Sequence, residues 1–197
     1  MAKLYFRYGA MNCGKSSELM QVAHNYNENN KKVFVIKSII DTKGDNHLES
    51  RIGLKRKVDL LLGHEESLEP YYDEWLRDEI ACILVDECQF LSGKQVEELW
   101  IASKMLDIPV ICYGLRTDFQ TNSFGGSKRL FELADELKEL KTICSCGKSA
   151  RFNARFVDGK FVTEGETVVI DGSTSSVEYK PLCGRCYIKK KYRDLRY

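Results

Sequence analysis

The chain has 197 residues, enough for one sizeable core and a small second module, and its 43% hydrophobic and 30% charged residues are ordinary globular averages, which excludes disordered and fibrous classes. Thirty Lys and Arg against twenty-nine Asp and Glu leave a formal charge of +1, so no global field draws in a nucleic-acid polyanion, and only the tail KKKYRDLRY is locally basic. No apolar run is long enough to span a bilayer and MAKLYFRYG lacks the apolar core of a secretory signal, so the expected compartment is the cytoplasm, with no membrane partner.

KLYFRY (3–8) reads as a short strand running into GAMNCGKSS. There Gly9, four residues (Ala10, Met11, Asn12, Cys13), then Gly14, Lys15 and Ser16 have the spacing of a P-loop. In such a loop backbone N–H groups wrap a triphosphate, the Lys reaches its terminal phosphates and the Ser hydroxyl holds Mg²⁺. The following KSSELMQVAHNYNENN puts Leu19, Val22, Ala23 and Tyr26 on one helical face and stops in an Asn cluster. Cys13 lies just before this helix, where positive potential can favour an oxidant-sensitive thiolate, but the preferred reading is a small loop residue.

KVFVIK (32–37), ACILVD (81–86) and PVICYGL (109–115) are apolar without polar alternation, as in strands covered on both faces, which argues a parallel sheet. NHLESRIGLKRK (46–57), polar and charged, reads as a mobile loop. Helical spacing marks 93–107 (Val96, Leu99, Trp100, Ser103) and 127–140 (Leu130, Ala134, Leu137). Strand alternating with helix gives an α/β class. His24, His47 and His64 show no ligand spacing and are expected at the surface.

The run CILVDECQF (82–90) ends an apolar strand in two acids. Asp86 at the strand's C-terminal end is placed to hold Mg²⁺ together with Ser16. Glu87 is then left to polarise either water, giving an NTPase, or a substrate hydroxyl, giving a kinase.

Beyond about residue 142 the texture changes to short β-like pieces, ARFNARFV, KFVTEG and ETVVID, separated by turn signals. The expected organisation is a P-loop α/β domain at 1–142, a small metal-stapled β module at 143–190 and a basic tail at 191–197. In a reducing compartment Cys13, Cys82, Cys88 and Cys112 are scattered thiols, whereas Cys144, Cys146, Cys183 and Cys186 form two close pairs. Four soft ligands suit a closed, structural Zn²⁺ site, although Cys-x-Cys is one residue tighter than the usual knuckle.

With the P-loop, DECQF, DTK (41–43), SRIGL (50–54), GLRTDFQTNSFG (114–125) and the cysteine pairs in this order, the chain resembles the thymidine kinases of the small, zinc-containing class from residue 4 to about 190. The resemblance implies a RecA-like core, a zinc-bearing lasso and transfer of the ATP γ-phosphate to the 5′-hydroxyl of deoxythymidine. It makes Glu87 the general base, Gly9 to Ser16 the ATP loop, and Asp86, Glu87, Cys88 and Gln89 the acidic nucleotide-site segment. Phe90, Leu115, Phe119 and Phe124, with Met11 at the floor, become the wall of the base pocket. Asp41 and Lys43 fall near the phosphates. Arg155, Tyr179 and the segment Val169, Ile170, Asp171 become the lasso's contribution to nucleoside binding. Cys88, Lys43 and Asp171 depart from the commoner Ala, Arg and Gly of the family. A homotetramer and feedback by dTTP are further implications.

A rival reading is a P-loop ATPase whose zinc knuckle and basic tail bind nucleic acid, since DECQ is also similar to the acidic box of helicases. Against it stand the single RecA-like unit, the lack of a basic stripe beyond the tail and the near-zero charge. A regulatory nucleotide switch is a third.

Overall fold

The computed structural model of the chain describes residues 1–40, 46–50, 52–165 and 176–192. Strand β1 (Leu4–Gly9) passes through the glycine loop into helix α1 (Lys15–Glu28), followed by β2 (Lys32–Ser38). Two short strands, β3 (His47–Glu49) and β4 (Lys55–Lys57), pair antiparallel. The stretch read as a loop is thus a hairpin, because Leu48, only 1% exposed, is drawn into the core beneath α1.

Next come β5 (Leu60–Leu62), a helical turn at Glu69–Tyr71 that leads into α2 (Tyr72–Arg77), and β6 (Ile80–Asp86). Helix α3 (Gly93–Met105) starts on a capping box, Ser92 Oγ accepting from Gln95 N while Gln95 Oε1 accepts from Ser92 N. Val96, Leu99 and Ser103 of α3 are buried as its spacing implied, whereas Trp100 lies at the exposed edge of that face. Strand β7 (Val110–Leu115) and helix α4 (Gly125–Leu133) follow.

The expected helix over 127–140 is corrected here: α4 stops at Leu133, and β8 (Glu136–Leu140) joins the sheet beside β1. Asp135 makes the switch. Its N–H donates to Leu4 O at 2.9 Å, and its carboxylate accepts from Leu4 N at 2.7 Å and from Lys104 Nζ. These bonds pin the chain to the open edge of β1, where ladder bonds replace helical ones. The charged residues of β8 point outward and blunt the new edge.

The six strands run in the order β5-β2-β6-β7-β1-β8, all pairs parallel. Phe6, Ile36, Val85 and Cys112 pack one face against α2, α3 and α4, with Trp75 fully buried. Leu19, Met20 and Ala23 of α1 cover Val35, Leu84, Ile111 and Tyr113 on the other. Coverage on both faces is why these strands are apolar throughout.

After the sheet, β9 (Thr142–Ile143) pairs with β10 (Ser149–Ala150), and β11 (Phe152–Val157) lies between β12 (Lys160–Val162) and β13 (Val177–Leu182). Helix α5 (Gly184–Lys191) closes the module over Ala154, Phe156 and Leu182. Lys189 to Lys191, expected to begin a tail, are the last turn of this helix, where cations meet its negative end. Among the described residues no helix is long and apolar enough to cross a membrane.

Candidate active site

The glycine loop sits at the C-terminal edge of β1. Asn12 (φ 66°) and Gly14 (φ 83°) are left-handed, and a side chain at Gly14 would be strained. Helix α1 starts at this curl with no side-chain cap on its first amides, and free amides at a helix N-terminus are groups that receive anions. The Lys15 side chain is buried and folds back across the loop, its Nζ donating to Ala10 O at 3.4 Å. Burial pushes the Cys13 thiol up, against the pull of Lys15, so it stays protonated.

Strand β6 delivers Asp86, 3% exposed, to the same edge. Ser16 Oγ donates to Asp86 Oδ2 at 3.0 Å, while Asp86 Oδ1 is buried with no hydrogen-bond partner. Burial first, then the charge of Glu87, pushes the Asp86 carboxyl up to about 7, against the pull of Lys15 and Ser16. A buried carboxylate oxygen without a donor is costly unless a cation meets it. A hydroxyl and a carboxylate beside the glycine loop are hard oxygen donors, which fits Mg²⁺.

Glu87 follows at φ 48°, ψ 38°, a left-handed conformation that a side chain adopts only under constraint. The constraint is visible. Gln89 is buried, donates from Nε2 to Glu87 Oε2 at 2.5 Å, and accepts at Oε1 from Leu115 N at 3.0 Å. The amide thus fixes the acid relative to the end of β7. Cys88 is buried behind them.

Phe90 and Phe124 meet edge to face, 5.8 Å between centroids, and both are half-buried, as are Leu115 and Met11. Phe119 is sealed instead: the Arg155 guanidinium lies 3.7 Å over its ring, and Tyr187 Oη donates to its carbonyl. Arg155 itself is buried, donates from Nη2 to Glu164 O at 2.7 Å, and is paired in register with Tyr179 across β11 and β13. Directly opposed residues share a sheet face, so the two side chains stand together. Asp41, Lys43, Val169, Ile170 and Asp171 lie outside the described residues.

Sequence reasoning missed the side chains that join the small module to these loops. Asn153 Oδ1 accepts from Met11 N at 2.8 Å and its Nδ2 donates to Thr117 O at 3.0 Å. Gln120 Nε2 donates to Thr163 O at 3.0 Å, and Thr142 Oγ1 to Asn12 O at 3.2 Å. Asn153, a polar side chain between Phe152 and Ala154 in a short strand, was the available signal.

The four paired cysteines converge, all sulfurs within 4.8 Å of one another and Cys146 Sγ 3.6 Å from Cys183 Sγ. A tetrahedral thiolate site with metal–sulfur bonds of about 2.3 Å needs sulfurs roughly 3.8 Å apart, so the set fits a soft cation such as Zn²⁺. Cys-x-Cys closes because Gly147 N donates to Cys144 O and Cys144 N to Lys148 O, both at 2.8 Å. Burial opposes ionisation of Cys144, but the backbone N–H groups of Cys146 and Cys183 and the neighbouring thiols hold it down at about 6. Cys183 is lowered too, chiefly by the Cys186 backbone, while Cys186 is pushed up to about 12 by hydrogen bonding within the thiol cluster, the Cys146 thiol first.

The family described as thymidine kinase matches residues 2–187. The thymidine kinase of Shewanella oneidensis is 44% identical over 196 residues, covering 98% of this chain and 98% of that protein. That of Chromobacterium violaceum is 43% identical over 189 residues, covering 95% and 98%. That of Haemophilus influenzae is 42% identical over 192 residues, covering 94% and 100%.

Proposed function

The chain belongs to the thymidine kinase family, and on that premise we propose that its site moves the γ-phosphate of ATP to the 5′-hydroxyl of deoxythymidine, yielding dTMP and ADP. The observation that carries the reading is the left-handed Glu87, its carboxylate anchored by Gln89, one residue beyond an Asp86 that is hydrogen-bonded to Ser16.

In this scheme the amides of Gly9 to Ser16 (Ala10, Met11, Asn12, Cys13, Gly14 and Lys15 between) surround the triphosphate, and the Lys15 ammonium leaves Ala10 O for the β- and γ-oxygens. Ser16 and Asp86 hold Mg²⁺, which when bound neutralises charge developing on the phosphates. Glu87 accepts the proton of the 5′-hydroxyl as the oxygen attacks. Phe90 and Phe124 supply apolar area to the base, with Leu115 beside them and Met11 beneath. Phe119 and Arg155 form a packed layer behind, and Tyr179 closes the nucleoside from the β13 side. Asp41 and Lys43 serve the phosphates, and the backbone of Val169 to Asp171 serves the base edge.

The four cysteines hold Zn²⁺ as a structural ion, since four protein ligands leave no open position. We divide the chain into a nucleotide domain at 1–142, a zinc-bearing lasso module at 143–190 and a short basic end at 191–197. Family membership further supports a cytoplasmic homotetramer restrained by dTTP.

One assay separates this from the rival ATPase and switch readings: ATP consumption and dTMP formation with thymidine, with single-stranded DNA, and with neither. Stoichiometric dTMP with thymidine alone is expected. ATP consumption driven by DNA and indifferent to thymidine would overturn it.

A further inference from the structure

We propose that Asn153 is a positioning residue for ATP: it ties the phosphate loop to the four-cysteine module, so that the state of the module is felt as affinity for the triphosphate. The proposal rests on the reading of Gly9–Ser16 as the triphosphate cradle.

Asn153 is on β11, 3% exposed, and its carboxamide reaches two loops of the large sheet. Its Oδ1 takes the Met11 N–H at 2.8 Å, and its Nδ2 gives to Thr117 O at 3.0 Å. Because a backbone N–H only donates and a carbonyl only accepts, the amide has a single allowed orientation. It therefore joins the loop after β1 to the loop after β7 through a third element belonging to neither.

The contact falls at a sensitive point. Met11 precedes Asn12, whose φ of 66° begins the left-handed curl that Gly14 completes before α1. A second tie arrives one residue on, where Thr142 Oγ1 donates to Asn12 O at 3.2 Å. Thr142 lies two residues before Cys144, and Asn153 is paired with Pro181, two residues before Cys183. Both ties thus originate within a few residues of the cysteine cluster, one near each pair of ligands. An unmade hydrogen bond at a buried site costs more than an ordinary one contributes, so the loop's curl depends on the module being in place.

The test is Asn153→Ala, with bound zinc, exchange of backbone amides and nucleotide affinity all read on the nucleotide-free protein. The variant is expected to keep its zinc, to exchange the peptide containing Met11 faster than the parent, and to bind a non-hydrolysable MgATP analogue about tenfold more weakly. In Thr142→Val, whose tie reaches Asn12 and no residue of the nucleoside pocket, the KM for thymidine at saturating ATP should stay at the parental value, a split that general loosening would not produce. An unchanged analogue Kd in zinc-loaded Asn153→Ala would overturn the proposal, as would an equal loss for both substrates in Thr142→Val. Should Asn153→Ala fail to fold, Thr142→Val removes the second tie from an accessible position and should weaken the analogue two- to threefold; no change there overturns it. Lys15→Ala keeps the outcomes distinct. If Lys15→Ala binds the analogue normally, the cradle reading itself falls. If it loses the analogue while Asn153→Ala does not, only the tie falls.

Discussion

The Ser16 hydroxyl donates to one oxygen of Asp86 at 3.0 Å, and the other oxygen of that carboxylate is buried with no hydrogen-bond partner. The nucleotide-free protein satisfies this arrangement by keeping Asp86 protonated up to about pH 7, whereas an unfolded chain releases the proton near the ordinary 3.8. Between those values the folded state binds more protons, so stability falls as pH rises and this contribution is gone above about 7. Thermal melting without nucleotide or Mg²⁺, with zinc in excess so that the cysteine cluster stays loaded, should therefore show a midpoint that drops from pH 6 to pH 8. Asp86→Asn should flatten that slope while lowering kcat on the order of 10²–10³-fold. An equally steep slope in the variant would remove Asp86 as its source.

Glu87 is held by its neighbours in a conformation that costs energy, and its carboxylate has a fixed donor in Gln89. Loss of a general base typically costs on the order of 10²–10⁴-fold in rate. Glu87→Gln keeps the side chain's size, so kcat should fall by that factor while the KM values for ATP and thymidine change by less than about threefold. Steady-state kinetics with both substrates checks this. A parental kcat would mean another group takes the proton.

What the sequence discloses about this fold is whatever is local. The apolar runs at β2, β6 and β7 declare a sheet covered on both faces, and the P-loop with Asp86 and Glu87 is written in contiguous residues. The strand β8 was misread because Leu130, Ala134 and Leu137 continue a helical period, while the reason to break it, the open edge of β1 and its bonds to Asp135, lies more than a hundred residues away. The six-residue helix α2, with Trp75 at its centre, is too short for periodicity to register. The partners of the site residues were likewise invisible. Nothing near Gln89 in the chain announces Leu115, nothing near Arg155 announces Phe119, and Met11 gives no sign of Asn153. Motifs name the atoms that react, and long-range packing decides what holds them.

The cysteine cluster makes a claim about metal content and acid. Protein purified without added zinc should contain one zinc per chain, and a strong chelator should lower the melting midpoint by several degrees, restored by adding zinc back. Zinc binding needs thiolates, so the ion should be released on acidification. In the metal-free protein the lowered value of Cys144 points the same way: its contribution is complete above the ordinary 9.0 and is lost as pH falls through about 6. Metal analysis after dialysis at pH 5 and pH 8 tests the release, and melting of the metal-free protein across the same range tests the Cys144 contribution. Zinc absent at pH 8 contradicts the assignment, and zinc retained in full at pH 5 contradicts the acid release.

Two adjacent glycines at the start of α4 give a paired test of how that helix seats the acidic segment. A Cβ on Gly126 would lie 2.5 Å from Cys88 O and 2.8 Å from Leu91 O, both backbone atoms that cannot swing aside, whereas a Cβ on Gly125 meets nothing within 4 Å. Gly126→Ala must therefore push α4 away from the turn at Cys88–Phe90, the same turn whose Gln89 anchors Glu87. Overpacking of this kind costs roughly 1–3 kcal/mol. Urea unfolding should show that loss for Gly126→Ala together with a lower kcat. Gly125→Ala should be neutral or up to about 1 kcal/mol more stable, because Ala loses less backbone freedom in a helix than Gly. If the two variants unfold alike, α4 does not press on the acidic turn, and the close approach at Gly126 is not what positions Glu87.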